Sequence, residues 1–195
     1  MNYLAHLYFS DPEPLAWAGS LMGDFHKGTI PQEFPQPLLR HLMLHRRIDS
    51  LTQQNENFQT SRRRLDPRFR HARSVLVDVF YDHFLAQNWL QYHHQPLLDF
   101  SRQVYAGLAE QQQHLSPGLL KILPMMSERN WLYSYRLEES VARVLVRLEE
   151  RLNHRLPLAE GFSELHRWRK ELEIDFAAFM LDSSDFVARW KQGNP

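Results

Sequence analysis

Cysteine is absent from the 195 residues, and that absence closes several chemistries at once. Disulfides, thiolate zinc sites and cysteine nucleophiles are excluded, in keeping with an expected cytoplasmic setting. No apolar run approaches the roughly 18–20 residues that a membrane-spanning helix needs, so no membrane partner is expected. The opening Met1-Asn2-Tyr3-Leu4-Ala5-His6 lacks the basic start and apolar stretch of a secretory signal. No glycine-rich turn precedes a lysine to form a phosphate loop, and no nucleophile elbow surrounds a serine. Net charge is missing too, with 23 Lys and Arg against 23 Asp and Glu. A neutral chain whose arginines are not interleaved with aromatics makes a poor nucleic-acid footprint. Repeats, low-complexity tracts and alternating strand patterns are also lacking.

What is present is a helical pattern over enough apolar material for a real core, with 43% hydrophobic residues. Val141, Val144, Leu145, Leu148 and Leu152 recur at the 3.6-residue period. So do Leu97, Phe100, Val104 and Leu108, and, further on, Leu165, Trp168, Leu172, Phe176 and Phe179. A helix from about Asp11 through Leu21 should stop around Gly23 to Gly28, followed by a loop marked by Pro31, Pro35 and Pro37. Another should run from about Pro37 to Gln54, then a polar, arginine-rich connection, then a helix from about Arg73 to Tyr92. Pro96 is expected at a first helical position, and Ser116-Pro117 opens a short helix that Pro124 interrupts. Asp182-Ser183-Ser184-Asp185 should separate the long C-terminal helix from a last short one. The predicted fold is all-α, a single-domain helical bundle over residues 1–195.

Charge is unevenly placed along this pattern. Arg46, Arg47, Arg62, Arg63, Arg64, Arg68 and Arg70 face only Asp49, Glu56 and Asp66 nearby in sequence. Such a segment reads either as a basic surface for an acidic partner or phosphate, or as a solvated, salt-bridged face. Ionisable residues also fall where a core should be. Asp78 and Asp82 are four apart on a helix that is apolar nearly all round, and a carboxylate buried there needs a cationic partner. A metal ion would serve, and so would an arginine. On another helix His41, His45, Asp49 and Thr52 form a stripe, with His45 and Asp49 able to converge on one point. Imidazole and carboxylate donors suit manganese, iron or zinc better than calcium. His83 points about 100° round the helix from Asp82, placed to ligate from another side, donate a proton or orient a carboxylate. His6, in an apolar opening, and Asp24, at a helix C-terminus where carbonyls disfavour an anion, are further candidates. The competing reading is a buried salt-bridge network built on Arg46, Arg47 or Arg136.

Several segments carry a resemblance. Asn2-Tyr3-Leu4-Ala5-His6-Leu7, Gly23-Asp24-Phe25, His45-Arg46-Arg47-Ile48-Asp49 and Asp78-Val79-Phe80-Tyr81-Asp82-His83-Phe84-Leu85-Ala86 resemble, in order and spacing, motifs of the acyl carrier protein phosphodiesterases. That family is distantly similar to the HD-type metal phosphohydrolases. The resemblance implies hydrolysis of the diester joining 4′-phosphopantetheine to a serine of holo-acyl carrier protein, with manganese as the favoured metal. It implies Asp24, His45, Asp78 and Asp82 as ligands, with His6, Asp49 and His83 as ligands or proton-handling neighbours. Arg46 or Arg47 would neutralise the phosphoryl oxygens, and His83 or His45 would protonate the leaving serine. Arg62, Arg63, Arg64 and Arg70 would dock the acidic carrier protein. Two alternatives stand beside this: a metal phosphohydrolase for a small nucleotide or phosphate ester, and a non-catalytic helical module binding an acidic partner.

Overall fold

In the computed structural model, residues 3–30 and 33–194 are described. Among them lie twelve α-helices and no strand, as the sequence periods require. In chain order they are α1 (Tyr3–Tyr8), α2 (Pro14–Met22), α3 (Gln36–Gln54), α4 (Glu56–Arg64), α5 (Ala72–Gln87) and α6 (Trp89–Tyr92). There follow α7 (Leu97–Glu110), α8 (Pro117–Glu128), α9 (Trp131–Ser134), α10 (Glu138–Arg151), α11 (Phe162–Arg167) and α12 (Arg169–Gly193). Of the residues assigned above, Met1, Asn2 and Pro31 lie outside the described set.

The helices share one hydrophobic core with α5 through its middle. Leu76, Val77, Phe80, Phe84 and Leu85 are fully buried on several sides of α5, so α1, α4, α10 and α12 can all pack on it. α2 and α3 form a close pair because Gly19 has no side chain; a Cβ there would overlap the Leu38 carbonyl. The far end of α12 is clamped to this pair by Asp11, which accepts hydrogen bonds from Arg40 (2.8 Å), His41 (2.9 Å) and Lys191 (2.7 Å). Burial works to raise the Asp11 carboxyl, but Lys191 and His41 outweigh it and hold the pKa at about 2.

Several boundaries differ from the sequence expectations, each for a local reason. The polar connection after residue 54 is the helix α4, capped by the Asn55 side chain, which accepts from the amides of Asn57 and Phe58. Only Phe58 and Ser61 are buried on α4, too thin an apolar face to register as a period. The expected helix to Tyr92 breaks at Asn88, whose side-chain amide donates to the Phe84 carbonyl already used by its own backbone N–H. Pro96 caps α7 from just outside it. α8 continues through Pro124, because Leu119, Leu123 and Met126 keep one buried face running past the lost hydrogen bond. A break at Trp168 divides the 165–179 stripe between α11 and α12. α12 then runs unbroken through Asp182–Asp185: Ser183 and Val187 stay in the core, and Asp182 accepts from Asn55 (2.8 Å) and Asn57 (3.0 Å). Among the described residues no helix is long and apolar enough to cross a membrane.

Candidate metal centre and cleft

The site is assembled at the meeting of α1, α3 and the turn after α2. α1 is only six residues long and would not persist alone. It is pinned by Asp82 of α5, whose two oxygens accept the amides of Leu4 (2.9 Å) and Ala5 (3.1 Å). Burial raises the Asp82 pKa to about 7 against the pull of these two bonds. This anchorage fixes His6, the next residue, inside the protein.

His45 comes from the middle of α3. Its Nδ1–H donates to the Ser20 carbonyl at 2.7 Å, which fixes the tautomer and leaves Nε2 as the free edge of the ring. That edge is 3.2 Å from Asp49, one helical turn further along α3, and 4.0 Å from Asp24. The ring of His6 stacks on that of His45, with centroids 3.7 Å apart and planes 14° from parallel. His6 Nε2 reaches the other oxygen of Asp49 at 3.2 Å. One nitrogen from each histidine and one oxygen of Asp49 thus lie within 4.8 Å of one another. Gly23, the C-cap of α2, is what lets His45 sit there, since any Cβ would run into the imidazole ring.

The electrostatics follow from burial. Desolvation, then the neighbouring His45, brings the His6 pKa down to about 3, so His6 is neutral near pH 7. Burial alone would push the Asp49 carboxyl up, but the rings of His45 and His6 together hold it far below the usual range. Desolvation raises both Asp24 and Asp78. Among the described residues, the Nδ1 of buried His6 has no hydrogen-bond partner, and Nε2 has only the 3.2 Å approach to Asp49, an ion-pair contact without hydrogen-bond alignment. An unbonded buried polar atom costs about 1–3 kcal/mol, which a cation shared by these donors would relieve. The residues fit a divalent ion: the neutral ring of His6, the ionised carboxylate of Asp49, and a second histidine oriented by a backbone carbonyl.

The cluster borders a cleft of about 1100 Å³. Asp24, Asp49 and Asp78 line its acidic part. Lys27, Arg129, Arg143, Arg147 and Arg151 make a cationic wall, and Val75, Val79, Ile122 and Leu148 contribute apolar surface. Arg147 lies 5.9 Å from the Trp131 ring, and Arg143 donates to Ser140 at 2.8 Å. Burial lifts Tyr3, also in the lining, to about 12.

Of the residues singled out from sequence, His6, His45 and Asp49 come together, Asp24 adjoins them, and Asp78 lines the same cleft. Asp82 stands apart from that group: both its oxygens cap α1, so it positions His6. His83 is turned into the core, its Nδ1–H bonded to the Tyr135 carbonyl at 2.7 Å, and it lines no part of the cleft. Arg46 braces the loop after α2 through the carbonyls of His26 (3.1 Å) and Gly28 (2.8 Å), and Arg47 is exposed away from the cleft. Arg136 lies 4.2 Å from the Tyr133 ring. Arg62, Arg63, Arg64 and Arg70 are likewise absent from the cleft, and Arg64 is bound to Asp175 at 2.9 Å. The sequence reading missed the wall on α10. Its signal was present: Arg143, Arg147 and Arg151 recur every four residues beside the apolar stripe.

An all-helical protein with a histidine–carboxylate cluster able to hold a metal ion, beside a cationic cleft, has the make-up of a hydrolase acting on an anion. Residues 1–183 match the family model described as "Acyl carrier protein phosphodiesterase", and the chain belongs to that family. Curated relatives carry the same name. The protein of Enterobacter sp. (strain 638) is 28% identical over 180 residues, 92% of this chain and 93% of its own. That of Pectobacterium atrosepticum is 29% identical over 184 residues, again 92% and 93%, and that of Escherichia coli O139:H28 is 27% identical with the same coverage. No solved structure matches.

Proposed function

We propose that this chain hydrolyses the phosphodiester between 4′-phosphopantetheine and a serine of holo-acyl carrier protein. The observation that carries the proposal is a His–His–Asp donor group, its two histidines buried and its Asp49 lining a cleft walled by arginines. Family membership and the relatives' shared name supply the substrate.

His6, His45 and Asp49 would hold the ion, with Asp24 and Asp78 beside them. The nitrogen-and-oxygen donor set suits manganese, iron or zinc better than calcium, and manganese is the metal that the family resemblance implies. When bound, such an ion polarises a phosphoryl oxygen and makes water a stronger nucleophile near neutral pH. The chain's own residues do the rest. Asp49 takes the tightly held negative charge, and Ser20 keeps His45 facing it. Asp24, half-exposed at the cleft, is placed to take a proton from the attacking water. Arg143, Arg147 and Arg151 neutralise the non-bridging oxygens and receive the departing phosphate. Water adds to phosphorus and the bond to the serine oxygen breaks; the proton that Asp24 took from the water passes to that oxygen, giving the apo-protein hydroxyl and free 4′-phosphopantetheine. The same arginines, not Arg62 to Arg73, present the cleft's positive field to an acidic carrier protein. A cytoplasmic setting belongs to this proposal.

Incubation with holo-acyl carrier protein and manganese, read by intact mass, tests it. The expected result is loss of the phosphopantetheine mass, abolished by chelator. An unchanged carrier protein, or turnover of small diesters only, overturns it.

A further inference from the structure

α12 carries a solvent face that no described residue covers. Ile174 and Leu181 stand 69% and 71% exposed, among the largest apolar exposures in the protein. They are seven residues apart, two helical turns, and therefore lie on one line with exposed Ala177 and half-buried Ala178 between them. The same line carries Lys170 at one end and Asp185 at the other, both exposed. The helix between these two charges spans about 22 Å, so they cannot pair within one chain. The face is not flat. Ala177 also borders a recess of about 240 Å³ whose opposite wall is Gln87, Asn88, Gln91 and Tyr92.

We propose that this face is a homodimer interface, in which two copies of α12 pack antiparallel about a twofold axis between Ala177 and Ala178. The arrangement is self-complementary in shape and in charge. Ile174 then meets the partner's Leu181, and Leu181 meets the partner's Ile174, closing four exposed aliphatics onto one another. The small alanines at the axis let the backbones approach. The same operation sets Lys170 opposite the partner's Asp185, twice. A like-charged end would repel a second copy; this one attracts it at both ends. A heterologous partner has no reason to mirror the helix's own spacing, whereas a second copy must. No residue of α12 lines the cleft, so pairing leaves both catalytic clefts open. The proposal stands independently of the reaction assigned above.

Sedimentation velocity over a concentration series tests it. The unmodified protein should sediment at twice the 23.3 kDa chain mass as concentration rises. Lys170→Glu and Asp185→Lys should each weaken dimerisation by about tenfold or more, and the two together should restore it, because the pair is then reversed. Leu181→Glu should give monomer with unchanged helical circular dichroism. A single-chain mass at every concentration overturns the proposal. So does a dimer that Leu181→Glu leaves intact, or a double reversal no better than the singles.

Discussion

Two regions of this chain are rich in arginine, and they differ in every respect that matters for function. The segment from Arg62 to Arg73 is dense in sequence, yet many of its charges are answered locally. Arg64 is bound to buried Asp175, Arg63 lies 3.7 Å from Glu56, and Arg68 is 3.0 Å from Glu160. The face of α10 is sparse in sequence, one arginine in four, but Arg143, Arg147 and Arg151 all reach the cleft that Asp24, Asp49 and Asp78 also line. Charge crowded along a chain spreads round a helix and finds partners. Charge repeated at the helical period adds up on one side, and that side makes a site.

The comparison can be broken or sharpened experimentally. The largest effect should come from the cluster the cleft serves. Gly23→Ala would drive a methyl group into the His45 ring and displace it from Asp49. Hydrolysis should fall by about a hundredfold, the range seen when a metal ligand loses its orientation. The fold should survive, as a thermal melt would show.

Next come the two arginine regions themselves. Arg147→Ala and Arg151→Ala should each lower kcat/KM by about tenfold and flatten its dependence on salt. Arg63→Ala and Arg70→Ala should leave kcat/KM within about twofold, as expected of exposed, locally screened charges. Equal losses from both sets would mean that the two arginine regions share the same role. Arg64 supplies the smallest catalytic effect and a separate signature. Arg64→Ala removes a partner of nearly buried Asp175, so denaturation should show a loss of about 1–3 kcal/mol while activity per folded molecule stays the same.

Much of this was legible in the amino-acid pattern, and the exceptions share a cause. Helical period, caps and the pairing of His45 with Asp49 are local, set by residues three or four apart, and the sequence displays them. What it hid depends on distant neighbours. Asp82 looked like a ligand because a buried carboxylate needs a partner. Its partners are the amides of Leu4 and Ala5, nearly eighty residues away, which no spacing rule could reveal. His83 sits beside Asp82 in sequence but bonds the Tyr135 carbonyl on another face. The join of α4 to α12 through Asn55 and Asp182 likewise turned two expected interruptions into helix. The α10 wall is a different matter: its spacing is visible in the sequence, but the denser arginines of residues 62–73 carry the stronger compositional signal.

The central claim is that His6, His45 and Asp49 form one divalent-metal site. Equilibrium dialysis with manganese, its bound fraction followed by electron paramagnetic resonance, addresses it without reference to turnover. The unmodified chain should bind the ion saturably, His45→Ala and Asp49→Ala should abolish that binding, and Arg147→Ala should retain it. Undiminished binding in both the His45 and Asp49 variants, or none in the unmodified chain, would contradict the assignment.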